Sequence, residues 1–75
     1  MATLQERCDD AIMDFTMGDC DAAIEKLKEI LAEDPNYFDA QLAIGQAYFA
    51  KGDYQAAIVE GHKAQKLKPN EQLVH

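Results

Sequence analysis

The chain has no serine, only two cysteines, two prolines and four glycines, and half as many basic residues as acidic ones. Without serine there is no serine nucleophile. A Cys/His pair would need Cys8 or Cys20 beside His62, and the spacing supplies no third group to orient them. No apolar run approaches the roughly 18 residues needed to cross a bilayer. The opening Met1-Ala2-Thr3-Leu4-Gln5-Glu6 has neither a basic flank nor an apolar signal core, so a cytoplasmic setting is the default expectation. Seven Lys and Arg against 14 Asp and Glu give a net charge of -7, the wrong sign for a nucleic-acid footprint.

The cysteines also exclude chemistry. Two of them twelve residues apart, with two distant histidines, do not match a zinc spacing. Cys8 falls about ten residues before a helix bend, some 15 Å along the axis, whereas Cys20 falls just after it. A disulfide needs Cα atoms within about 7 Å, so reduced thiols in a reducing compartment are expected. The acidic group Asp9, Asp10 and Asp14 lacks the glycine and closing glutamate of a calcium loop and lies on a predicted helix. Gly18, Gly45, Gly52 and Gly61 form no phosphate-cradling loop. No enzyme, metal or cofactor is expected.

What the chain does have is order. Hydrophobic residues make up 48%, ordinary for a folded domain. Leu4, Cys8, Ala11, Ile12 and Phe15 share one face of a helix predicted over Thr3 to Met17. Gly18 ends that helix and Asp19 caps the next, Cys20 to Glu33, whose stripe is Ala23, Ile24, Leu27, Ile30 and Leu31. Asp34-Pro35-Asn36 stops it, with Asn36 available as a cap. A third helix, Tyr37 to Lys51, presents Leu42, Ile44, Ala47, Tyr48 and Phe49. Gly45 inside it costs roughly 1 kcal/mol against alanine, which implies close approach by a neighbouring helix. Gly52-Asp53 repeats the stop and cap, a fourth helix runs to Leu67, and Lys68-Pro69-Asn70 repeats the second stop before the opening of a fifth.

Laid over each other without a gap, residues 4–37 and 38–71 agree at eight positions: Phe15/Phe49, Gly18/Gly52, Asp19/Asp53, Ala22/Ala56, Ala23/Ala57, Ile24/Ile58, Pro35/Pro69 and Asn36/Asn70. A 34-residue period with helix–turn–helix content resembles the tetratricopeptide repeat. The second copy is similar to that family's pattern through Ile44-Gly45, Tyr48, Gly52-Asp53-Tyr54, Ala57, Ala64 and Pro69. The resemblance implies an all-α fold, a right-handed superhelical stack of antiparallel helix-turn-helix hairpins. It divides a single domain, 1–75, into repeat one, 4–37, repeat two, 38–71, and the truncated start of a third, 72–75.

The departures from the pattern are informative. Asp10-Ala11 stands where the family has Leu-Gly, and Asp14 where it has tyrosine, as expected at an edge with no preceding repeat. Gly61 replaces a large aromatic, so either a partner side chain fills that space or the helices close together, and closing is favoured. Two repeats and a stub fall short of the three or so usually required. A fragment, or self-association into a homo-oligomer, is therefore expected, with Tyr48, Tyr54, Ala57 and Ala64 left uncovered.

The resemblance also implies a function: a non-catalytic protein-interaction scaffold whose first helices line a concave groove. The family's groove positions fall on Gln5, Cys8, Ile12, Phe15 and Thr16 in the first copy and on Asp39, Leu42, Gln46, Phe49 and Ala50 in the second. Such a groove is largely apolar, with Gln5, Asp39 and Gln46 as hydrogen-bonding groups, and suits a protein or peptide with apolar anchors. Residues 1–37 carry ten acids against Arg7, Lys26 and Lys28, whereas residues 38–75 are neutral. That asymmetry is either a solvated terminal face or a means of steering a partner with basic flanks. The lysine and asparagine clamp of the chaperone-tail-binding members is absent: Cys8, Asp9, Ile12 and Ala43 stand in its places. No nucleic acid and no membrane are expected. The same apolar positions could equally serve packing between copies, in a structural self-assembly unit.

Overall fold

In a computed structural model the described residues are 3–67. They form four α-helices and no strand: α1 Leu4–Thr16, α2 Cys20–Glu33, α3 Phe38–Lys51 and α4 Tyr54–Leu67. Consecutive helices pack on one another, and α1 also touches α3. The Lys68-Pro69-Asn70 stop and the opening at 71–75 lie outside the described residues.

Local chemistry sets each boundary. Thr3 and Glu6 close a capping box at the start of α1, Glu6 N–H donating to Thr3 Oγ1 at 3.1 Å and Thr3 N–H to Glu6 Oε1 at 2.9 Å. Gly18 and Gly52 have φ of 93° and 98°, a region that carries a Cβ penalty for other residues. After each, an aspartate caps the next helix: Asp19 Oδ1 accepts from Ala22 N–H at 3.2 Å, and Asp53 Oδ1 from Ala56 N–H at 3.3 Å. The return bonds match as well, Asp19 N–H reaching the Asp14 carbonyl and Asp53 N–H the Tyr48 carbonyl. The two hairpin bends are one local structure written twice.

The bend between hairpins differs from the sequence-based expectation. Asn36 does not cap α3; Tyr37 holds the N-cap position with no side-chain cap bond. Asp34 organises this turn instead, its carboxylate accepting from Asn36 N–H and its carbonyl from Tyr37 N–H. An Asx-type turn built on Asp34 uses the polar group that precedes the proline and leaves Asn36 outward.

The core holds Cys8, Ala11, Ala23, Ile24, Leu27, Ile30, Ala40, Ala43, Ile44 and Ala47. Leu4, Phe15, Leu31, Tyr37 and Tyr48 pack partly against it. Ion pairs bridge the helices at the surface. Lys26 on α2 meets Asp10 at 2.7 Å and Asp14 at 2.6 Å on α1, Arg7 meets Glu33, and Lys51 meets Asp21. The charges at Asp10 and Asp14 thus clip α1 to α2. Their hydrogen bonds, Asp10 first and then Asp14, hold the Lys26 ammonium above the usual lysine range.

Gly45 lies against α4, as its place inside a helix implied: a Cβ built there would stand 3.5 Å from the Gly61 nitrogen and 3.6 Å from the Ala57 carbonyl. The helices therefore do close at this level. A Cβ at Gly61 would meet nothing within 4 Å, so open space remains on its far side.

Candidate functional site

The expected groove positions divide into three groups. Ile12, Leu42 and Phe49 are open to solvent at 38%, 41% and 64% exposure. Gln5, Thr16, Asp39, Gln46 and Ala50 are also exposed, and Phe15 is half-buried. Cys8 is fully buried, so it belongs to the core and offers no surface to a ligand. Its place on the α1 stripe was legible, but not that α3 seals it. Burial pushes the Cys8 thiol up from its ordinary pKa, and the carboxylates of Asp39 and Asp9 add to the shift.

One hydrogen bond ties α1 to the N-cap residue of α3 at one end of this surface, and a second, within α1, extends it. The Tyr37 hydroxyl donates to Gln5 Oε1 at 2.6 Å, and Gln5 Nε2 donates to Asp9 Oδ1 at 3.0 Å. Gln5 is thereby held in one orientation. Thr16 is turned back on its own helix, its hydroxyl donating to the Ile12 carbonyl at 2.9 Å. Burial raises the Tyr37 phenol pKa, and Asp39, Asp9 and Asp34 raise it further, along with Cys8. Two neighbouring groups thus sense the same carboxylates, Asp39 and Asp9. Asp9 and Asp39 put negative charge at the Gln5 end, while Ile12 on α1 and Leu42 and Phe49 on α3 are the exposed apolar residues of the expected set.

Leu42, Gln46 and Phe49 also share a shallow cavity of about 270 Å³, completed by Gly45 and by Ala57, Ile58 and Gly61 of α4 rather than by α1. The Phe49 ring meets Tyr54 edge-on, centroids 5.2 Å apart. Ile58 and Tyr54 are exposed here and were not among the expected groove residues. The Ile24/Ile58 identity was the available signal, since two equivalent side chains cannot both be buried if only one has a helix over it. Ala64, expected to lie uncovered, is buried. A second cavity, about 400 Å³, lies among α2, α3 and α4 and is more polar. Gln41, almost fully buried at its edge, donates through Nε2 to the Glu60 carboxylate and to the Glu60 carbonyl at 3.4 Å, so its amide is satisfied.

Described residues include no group of three or more His, Cys, Asp or Glu placed to hold a metal, and no helix long and apolar enough to cross a membrane. Both cysteines are unbridged.

A family model described as tetratricopeptide repeat matches residues 14–75, most of the chain. The chain belongs to the tetratricopeptide repeat family. Searches among curated proteins and among solved structures found no match. The four helices are accordingly tetratricopeptide hairpins, an all-α helical-hairpin repeat. Domains of this family generally mediate protein–protein interaction, typically bind protein partners and are generally non-catalytic.

Proposed function

We propose that this chain is a non-catalytic adaptor that holds a peptide or helix of a partner protein along the α1–α3 surface. Its hairpins are repeats 4–37 and 38–71, two steps of a right-handed superhelical stack. The observation that carries the reading is the exposure of Ile12, Leu42 and Phe49 on the two first-position helices, flanked by the polar Gln5, Asp39 and Gln46. Phe15 contributes its outer edge. Cys8, buried, sets only the spacing beneath them.

Asp9 and Asp39 favour basic residues beside the ligand's apolar anchors. Such charge selectivity acts on rate and specificity, and salt weakens it. A peptide array presenting the same apolar anchors between basic or acidic flanks, read by fluorescence polarisation, tests the reading. Basic-flanked peptides should bind more tightly, lose affinity in high salt, and lose it again to Ile12→Asp or Leu42→Asp. Equal binding of acidic-flanked peptides, or binding indifferent to both substitutions, would overturn it.

A further inference from the structure

The two hairpins present equivalent surfaces in different states. On the first, Cys8, Ala11, Ala23, Ile24 and Leu27 are all buried, because α3 lies across α1 and α2. Thirty-four residues later the same positions are Leu42, Gly45, Ala57, Ile58 and Gly61, which line the open cavity between α3 and α4. Leu42 is 41% exposed and Ile58 59%, where Cys8 and Ile24 are buried. The α3/α4 face therefore has the shape of a helix-covered surface without its cover among the described residues.

We infer that this face pairs with the same face of a second copy of the chain, in a closed two-fold dimer. Self-complementarity is the first argument. An isologous contact needs projections and recesses on one patch. Here Phe49, Tyr54 and Ile58 project beside the recess at Gly45, Ala57 and Gly61, where position 61 lacks the side chain that Leu27 supplies in the first hairpin.

Charge is the second. The described part of the second hairpin is neutral, with Asp39, Asp53 and Glu60 against Lys51, Lys63 and Lys66, so two copies of it meet without repulsion. The excess acid lies in the first half and is carried away from the contact.

Charge and bulk on α1 exclude a head-to-tail stack. To copy the way α3 covers the first hairpin, a second molecule would have to present α1 in place of α3. The covering residues Ala40, Ala43 and Ala47 are all buried. Their equivalents on α1 are Glu6, Asp9 and Met13, two carboxylates and a long side chain where small apolar groups are needed. Each carboxylate accepts one hydrogen bond, from Thr3 N–H and from Gln5 Nε2, but neither has an ion-pair partner among the described residues. Desolvating such a charge is costly, so α1 cannot serve as that cover.

The exposed area is small but sufficient for a specific contact. Phe49 and Tyr54, at roughly 150–250 Å² per aromatic side chain, and the smaller Leu42 and Ile58, all about half open, leave on the order of 400 Å² of mainly apolar surface per copy. Two such faces with their polar rims reach about the 1,200 Å² lower bound of specific interfaces. A contact of that size belongs with weak, reversible associations, so monomer and dimer should exchange within the micromolar-to-millimolar range.

Sedimentation equilibrium of the chain from about 1 μM to about 1 mM tests this. A single monomer–dimer equilibrium is expected. Ile58→Glu should remain monomeric throughout with an unchanged helical circular dichroism spectrum, while Ile12→Glu, on the α1 side, should dimerise as the parent does. Should Ile58→Glu fold poorly, Gly61→Gln replaces it. That change adds a helix former into open space and should weaken dimerisation at least tenfold by filling the recess. A parent monomeric at 1 mM, species growing beyond the dimer, or dimerisation untouched by either α4 variant would overturn the inference. Leu42 and Phe49 serve both the dimer and the α1–α3 reading, so the two are told apart at Ile12 and Ile58: an Ile12 substitution should abolish peptide binding and leave dimerisation intact, and Ile58→Glu should do the reverse.

Discussion

Ile24 and Ile58 occupy the same repeat position with the same residue, yet Ile24 is 5% exposed and Ile58 59%. Truncating each to alanine isolates what the covering helix contributes. The change removes three carbons, worth about 2.4 kcal/mol at 0.8 kcal/mol per buried carbon, and at a sealed site it leaves a cavity that raises the cost to about 3–4 kcal/mol. At Ile58 less than half of that surface is out of water, so the transfer loss is about 1 kcal/mol. Alanine is also the better helix former by about 0.4 kcal/mol at both sites, which brings Ile58→Ala near 0.6 kcal/mol. Urea unfolding followed at 222 nm, at low micromolar concentration to keep the chain monomeric, should therefore separate the two variants by about 2–3 kcal/mol at equal slope. In a domain this small Ile24→Ala can be largely unfolded without denaturant, and Ile24→Val against Ile58→Val then gives the same ordering on a smaller scale. Equal costs at the two positions would refute the claim that one face is covered and its equivalent open.

Gly45→Ala should raise stability by up to about 1 kcal/mol in the same assay, because a Cβ there makes only ordinary contacts at 3.5–3.6 Å and glycine is a poor helix residue. Lys26 has a folded pKa above its unfolded value, so its contribution is complete below the ordinary lysine range and is lost only as pH rises through the folded value. Unfolding midpoints for the parent and Lys26→Gln should differ by a constant amount from pH 6 to about 9 and converge only in stronger alkali. Cys20 is partly exposed whereas Cys8 is buried with a raised pKa. A thiol reagent should accordingly label Cys20 first and Cys8 at least about 100-fold more slowly, at a rate set by opening of the α1–α3 seam.

The architecture was legible where it depends on a few neighbouring residues. Gly18 with Asp19 and Gly52 with Asp53 announce their bends because a left-handed glycine and a carboxylate cap are local chemistry, and α2 runs over Cys20–Glu33 as expected. Asn36 was misjudged for the same kind of reason: Asp34, on the other side of the proline, competes for the same turn and wins. What periodicity does not reveal is which face has a neighbour. Cys8 and Leu42 are equivalent positions on equivalent stripes, and only the placement of α3 makes one core and the other surface. Met13 on α1 and Met17 just past its end are exposed and fall outside both surfaces, and nothing in the structure assigns them a role.

The partner-binding surface is tested most directly by placing a photoreactive amino acid at Gln46, in the groove, and separately at Glu25, on the exposed side of α2. After irradiation in cells, Gln46 should give a discrete adduct with a protein other than a second copy of this chain, lost when Ile12→Asp is added, while Glu25 should give none. Adducts of equal yield from both positions, or from Glu25 alone, would contradict the assignment of the α1–α3 surface as the place where this protein holds its partner.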